Sequence, residues 1–199
     1  CSSDLVSGGG FQAFWYNYGA LHSRINNLYL YDTIYTYSSG AIATVVKVAD
    51  IEFEKLITIC LQIKDKIKGS ICSFNLTNIL TEFLEKVLPE NIHELMSVYP
   101  IHIVYSSVLF QTYDITSWDS KKDLIDCIVK SCYIPILSGP FSYYLDGSFS
   151  PYIWYVYMYS SISVKVISNT SSNPLHFICP ITKEHALEYY KKGLNDYTI

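Results

Sequence analysis

Ile34-Tyr35-Thr36-Tyr37-Ser38-Ser39-Gly40-Ala41-Ile42 is the stretch that decides the fold. A β-branched and aromatic run stops at a small polar turn. A helical pattern begins at once in Ala41-Ile42-Ala43-Thr44-Val45-Val46, whose small residues let a helix lie close against a sheet. A serine at such a strand-to-helix turn has its hydroxyl pushed clear of the backbone over the helix N-terminus, the geometry of a nucleophile elbow. Ser38 is therefore a candidate nucleophile, with Thr36, Tyr37, Ser39 and Gly40 forming the elbow around it. The G-x-S-x-G pattern would place glycine where this chain has Thr36.

Upstream, Asp4-Leu5-Val6-Ser7 reads as a short buried strand running into Gly8-Gly9-Gly10, followed by a helix pattern with Phe11, Phe14, Trp15, Tyr18 and Leu21. Strand, glycine turn and helix make an anion-binding corner, because the N–H groups of a first helical turn lack partners and the helix dipole favours negative charge there. A P-loop is excluded by the missing Gly-Lys-Ser/Thr. Two readings stay open at this point. One is a dinucleotide fingerprint, Gly8-x-Gly10-x-x-Ala13 with Asp32 about twenty residues on. The other is an oxyanion hole built from Gly8, Gly9, Gly10 and Phe11. Two successive strand-to-helix units predict a parallel sheet by the crossover rule.

Length and composition bound what this corner can serve. The 199 residues suit one α/β domain over 1–199, able to bury roughly 70% of its unfolded surface. A net charge of −4 with scattered lysine and arginine lacks the basic stripe that nucleic acid requires. The six cysteines, Cys1, Cys60, Cys72, Cys127, Cys132 and Cys179, show neither C-x-x-C nor zinc spacing, so no metal is expected and reduced, intracellular thiols are. Sequons at Asn75 and Asn169 leave a secretory route open. No apolar run reaches the roughly 18 residues that span a bilayer; the most aromatic, Tyr152 to Tyr159, is strand-sized. No leader is visible ahead of the first strand.

Further along, Asp50 to Lys68 and Leu76 to Leu88 carry apolar residues at helical spacing. Ile101 to Tyr105 and Val108 to Ile115 read as strands broken at Ser106-Ser107. Ser120-Lys121-Lys122-Asp123 opens a helix that stops before Pro135. Asp146-Gly147-Ser148 is a strand-end turn, Ser163 to Ile167 a strand, and Lys183 to Lys192 a final helix with Gly193 as its C-cap.

A serine nucleophile needs a base. His22, His93, His102, His176 and His185 fall within helices, strands or polar segments that do not suit the task, and each reads as a surface or packed histidine. A carboxylate acting alone remains, and Asp146 beside Gly147 is the best placed.

Val6-Ser7-Gly8-Gly9-Gly10-Phe11, Tyr37-Ser38-Ser39-Gly40-Ala41 and Leu145-Asp146-Gly147 stand in the order and approximate spacing of the patatin-like phospholipase family. Lys130-Ser131-Cys132-Tyr133-Ile134-Pro135 resembles that family's Ser-Cys-x-x-Pro segment, and the adiponutrin-like branch is also resembled by Leu88-Pro89-Glu90 and by Tyr189 to Asp196. The resemblance covers about residues 4 to 197. It implies a three-layer α/β/α sandwich with a mostly parallel sheet, and a lipid acyl hydrolase with a Ser38–Asp146 dyad, a glycine-loop oxyanion hole and no cofactor. Its substrate would be a phospholipid or glycerolipid, met in the cytoplasm or at a membrane or lipid-droplet surface. The chain departs from the family at Gln12, where Arg or Lys is usual, at Ala13, and at Thr36. The alternative is a degenerate member that keeps the fold as a lipid-binding or interaction module.

Overall fold

The computed structural model describes residues 3–24, 33–73, 75–135, 137–139, 141–159, 164–168 and 182–197. β1 (Ser3–Val6) leads through the glycine turn into α1 (Gly10–Arg24), and β2 (Thr33–Thr36) leads through Ser38 into α2 (Ser39–Val48). Next come α3 (Phe53–Ser73), α4 (Leu76–Val87) and α5 (Ile92–Ser97), then β3 (Ile101–Ser107), β4 (Thr112–Ile115) and α6 (Lys121–Ser131). The chain continues with β5 (Tyr144–Leu145), a 3₁₀ turn (Gly147–Phe149), α7 (Pro151–Tyr159), β6 (Val164–Ile167) and α8 (Lys183–Tyr197).

The strands form one sheet in the order β4-β3-β2-β1-β6, with β5 added on β3. β1 pairs in parallel with β2 and β6, and β2 with β3; only β4 and β5 run antiparallel to β3. The sheet is thus mostly parallel, as two successive strand–helix crossovers require.

Alternation along each strand sends neighbours to opposite faces. Val6, Ile34, Ile101, Ile103 and Ile167 pack into the larger core with α1, α2, α5 and α6. Leu5, Tyr37 and Val104 point the other way and pack with Ile153 and Val156 of α7. Helices therefore lie on both faces of the sheet, making the three layers. Among the described residues no helix is long and apolar enough to cross a membrane.

Three local expectations are corrected. The strand-sized run Tyr152 to Tyr159 is helix α7. Pro151 suits the first helical position, and Ile153 and Val156, three apart, face the sheet while Trp154, Tyr155, Tyr157 and Met158 stay exposed. The break expected at Ser106-Ser107 falls later, since β3 runs through both serines. Ser107 Oγ accepts the N–H groups of Leu109 and Gln111, each at 3.2 Å, and so holds the reversal over 108–111. Gly193 is no C-cap. It lies inside α8, where a side chain would collide with the Tyr16 carbonyl of α1, just as one on Gly19 would collide with the Tyr190 carbonyl. The two glycines let α1 and α8 cross almost in backbone contact, and Tyr16 Oη donates to Asp196 Oδ2 at 2.9 Å beside the crossing.

Candidate active site

The three segments singled out in the sequence meet at the C-terminal end of β1 and β2. The glycine turn is first. Gly9 and Gly10 take φ of 144° and 67°, values that a side chain disfavours, and Gly10 opens α1, so the first N–H groups of that helix have no intrahelical acceptor. Ser7 holds the turn from behind: its N–H and its hydroxyl both donate to the Ile167 carbonyl, at 3.0 and 3.1 Å, and its own carbonyl accepts Asn17 Nδ2 at 2.7 Å. Gln12 and Ala13 are buried in the following turn of α1. Asn17 carried no signal in the sequence, because an asparagine mid-helix announces a surface position unless its acceptor is known.

Ser38 sits at φ 54°, ψ −136° as the N-cap of α2, and its side chain makes no capping bond. A non-glycine residue held at positive φ stores on the order of 1–3 kcal/mol and persists only where its surroundings enforce it. Gly40 N–H and Ala41 N–H return to the Tyr37 carbonyl, at 3.0 and 3.3 Å, closing the turn. Thr36, where the elbow pattern has glycine, is wholly buried and sets its hydroxyl 3.4 Å from that of Thr44, which in turn donates to the Gly40 carbonyl at 2.9 Å. The branched side chain fits because α2 offers a threonine across from it.

The glycine turn and the elbow touch. A Cβ placed on Gly8 would lie 2.6 Å from Cβ and 3.0 Å from Oγ of Ser38. Burial pushes the Tyr37 hydroxyl up to about 12, reinforced by the Asp146 charge, while the Gly8 backbone N–H draws it back.

Asp146 is 2% exposed and follows β5. Its Oδ1 accepts the Ser148 N–H at 2.8 Å, and its backbone N–H donates to the Tyr133 carbonyl at 2.7 Å. Burial holds the carboxyl above the ordinary aspartate range; the Ser38 hydroxyl and the Ser148 N–H pull it partly back. Oδ2 has no partner of good hydrogen-bond geometry among the described residues. Gly147 brings this turn against the elbow, since a side chain there would collide with Tyr37 Cβ and the Val104 carbonyl.

From Ser38 and Ser39 a cavity of about 160 Å³ runs between α1, α3, α4 and α6. Gly10, Phe11, Phe14 and Trp15 form one side; Ile79, Leu80, Phe83 and Leu76 form another; Val129, Cys132 and Ile134 close it. Lys64 is its one charged lining residue among the described residues. Ser39 Oγ also lines it, buried and without a partner among the described residues.

The described histidines are elsewhere. His22 lies against the rings of Tyr18 and Tyr190, and His102 pairs with Asp114 at 2.7 Å. Among the described residues no histidine lines the cavity. Asp32, the acid of the dinucleotide reading, lies outside the described residues, as do His176, Cys1, Cys179 and Asn169. Cys60, Cys127 and Cys132 are free thiols.

Comparison with known proteins adds relatives to this geometry. The chain is 28% identical over 163 residues to the mouse protein 1-acylglycerol-3-phosphate O-acyltransferase Pnpla3, covering 76% of this chain and 38% of that protein. To mouse omega-hydroxyceramide transacylase it is 26% identical over 190 residues, covering 87% of this chain and 31% of the relative. To human 1-acylglycerol-3-phosphate O-acyltransferase PNPLA3 it is 34% identical over 99 residues, 46% of this chain and 20% of the relative. The chain thus spans well under half the length of the curated relatives it matches. No family model matches it. The glycine turn, the elbow and the acidic turn stand in order on a mostly parallel three-layer fold, and in this, as in its relatives, the chain resembles patatin-like proteins.

Proposed function

We propose that the chain is a lipid acyl-processing unit over residues 1–199 that cleaves carboxylic esters of phospholipids or glycerolipids through an acyl-enzyme on Ser38. The observation that carries this reading is the uncapped, positive-φ Ser38 lying against Gly8 and reaching the buried Asp146 at the mouth of an apolar cavity.

In this reading Asp146 takes the Ser38 proton as Oγ attacks the ester carbonyl carbon. The tetrahedral oxyanion is held by the N–H groups of Gly9 and Gly10, donors of a kind worth about 3–4 kcal/mol each. Collapse passes the proton from Asp146 to the leaving alkoxide and leaves the acyl group on Ser38. Asp146 then deprotonates a water, which attacks the acyl carbon; collapse breaks the bond to Ser38 Oγ, which takes the proton back from Asp146, and the fatty acid leaves. A lipid hydroxyl in place of that water gives transfer, the reaction in the relatives' names. The acyl chain lies among Phe14, Ile79, Leu80 and Phe83. Exposed Trp154, Tyr155, Tyr157 and Met158 of α7 supply an apolar surface for peripheral contact with an intracellular membrane or lipid droplet, aromatic rings being favoured at such interfaces.

The degenerate, non-catalytic reading keeps one specific support, the orphaned Asp146 Oδ2. A panel of phospholipids, acylglycerols and acylceramides, assayed with and without an acyl-acceptor lipid on wild type and Ser38→Ala, separates the two. Turnover by wild type alone, with a fluorophosphonate bound covalently at Ser38, supports the enzyme. A folded wild type that neither labels nor turns over any ester overturns it.

A further inference from the structure

The end of α6 holds both halves of the Ser38–Asp146 pair. Ser131 is wholly buried; its Oγ accepts the Ser38 N–H at 2.9 Å and donates to the Val104 carbonyl of β3 at 2.7 Å. One hydroxyl thus spends both its donor and an acceptor site on backbone. It fastens to strand β3 a residue whose positive φ would otherwise relax. Two residues on, the Tyr133 carbonyl accepts the Asp146 N–H at 2.7 Å. Asp146 is fixed against the same β3 carbonyl through Gly147, which packs on Val104 O. The rest of the segment is fixed too: Cys132 N–H donates to Ile128 O at 3.0 Å, and Ser138 Oγ accepts the Ile134 N–H at 2.9 Å.

We propose that residues 131–134 are a positioning clamp, in which the Ser131 hydroxyl and the Tyr133 carbonyl together set the separation of Ser38 and Asp146. Ser131 touches neither substrate nor the reacting oxygen; it acts through the Ser38 backbone. The proposal rests on the acyl-enzyme reading only for its catalytic consequence, since the clamp itself is a matter of backbone position.

The test uses Ser131→Thr and Ser131→Val, which match in volume and differ in the hydroxyl, with Ser131→Ala and Ser131→Cys as smaller variants should the β-branched ones not fold. Amide hydrogen exchange is read at Ser38 and Asp146, alongside kcat, KM and the rate of fluorophosphonate labelling. Loss of the hydroxyl should speed exchange at Ser38 by about tenfold or more. It should also lower kcat and labelling about 10²-fold, the scale of a misplaced reacting group, with KM within about twofold. The threonine variant should restore both. The acidic limb of kcat/KM should also move to higher pH without the hydroxyl, because a Ser38 hydroxyl that drifts away no longer favours the ionised Asp146. The other groups around that carboxyl, Tyr37, Cys132 and Ser148, are unchanged in every variant. Valine or alanine variants that match wild type in Ser38 exchange and in kcat overturn the clamp. So does a loss confined to thermal stability with an unmoved pH limb. If wild type itself is inert to the probe, the acyl-enzyme reading falls, and the clamp is decided by the exchange rates alone.

Discussion

The Gly8 Cα faces Ser38 so closely that a methyl group on it would lie 2.6 Å from the serine Cβ and 3.0 Å from its Oγ. Glycine turn and elbow are one surface. Gly8→Ala should therefore displace Ser38 or the turn, costing about 1–3 kcal/mol of stability as an overpacked site. Fluorophosphonate labelling should fall by about 10²-fold or more. Labelling rates beside urea melts check this, and a fully reactive Gly8→Ala protein would contradict the packing.

Thr36→Gly restores the elbow pattern on paper and should not improve the protein. The Thr36 side chain is buried against Thr44, whose hydroxyl holds the Gly40 carbonyl. Removing it leaves a void and loosens the backbone, for a loss of about 1–2 kcal/mol, with labelling equal to or below wild type. A denaturation midpoint above wild type would show that Thr36 strains the turn.

Asp146 links activity and stability with opposite signs. Burial raises its pKa above the ordinary 3.8, so the folded chain holds this proton to higher pH than the unfolded chain does. As pH rises through the folded value, the buried carboxyl must ionise, and stability falls across that window and stays lower above it. In the proposed mechanism catalysis needs the ionised form, so kcat/KM should rise through that same window. Asp146→Asn should lose about 10²–10⁴-fold in kcat and yet melt about 2 °C or more above wild type near pH 7. That gain should vanish below the ordinary aspartate range. Scanning calorimetry over pH gives the sign directly.

In the proposed reading the cavity sets acyl length. Ile79 and Phe83 of α4 line it together with Leu80. Ile79→Trp fills space that an acyl chain would use, and it should shift preference towards shorter esters by about tenfold in the ratio of long-chain to short-chain kcat/KM. An unchanged chain-length profile would place the acyl group elsewhere.

Most of the element order and the places of the three site segments were legible in the sequence. Strand, glycine turn and helix, the elbow at Ser38 and the acid at Asp146 are local patterns, each written within a few consecutive residues, and the structure brings all three to one end of the sheet. Contacts that join distant segments were not legible. Ser131 lies 93 residues from the amide it holds, and a serine at a helix end looks the same whether it braces a turn or faces water. Tyr152 to Tyr159 misled because its aromatic composition favours strands, whereas Pro151 and the three-residue spacing of Ile153 and Val156 set a helix on the sheet. Gly193 misled because a glycine after a helical run usually stops it; here the residue serves a neighbour, α1, that no local window contains.

The crossing of α1 and α8 has a consequence for the order of synthesis. The helix that begins at the glycine turn is packed from behind by a segment some 180 residues downstream, as the Tyr16–Asp196 bond records. Until that segment leaves the ribosome, α1 has its contacts to α2 and α3 but lacks the surface that α8 gives its other side. In the proposed reading, competence at Ser38 therefore waits for α8 to emerge, although both reacting residues are synthesised earlier.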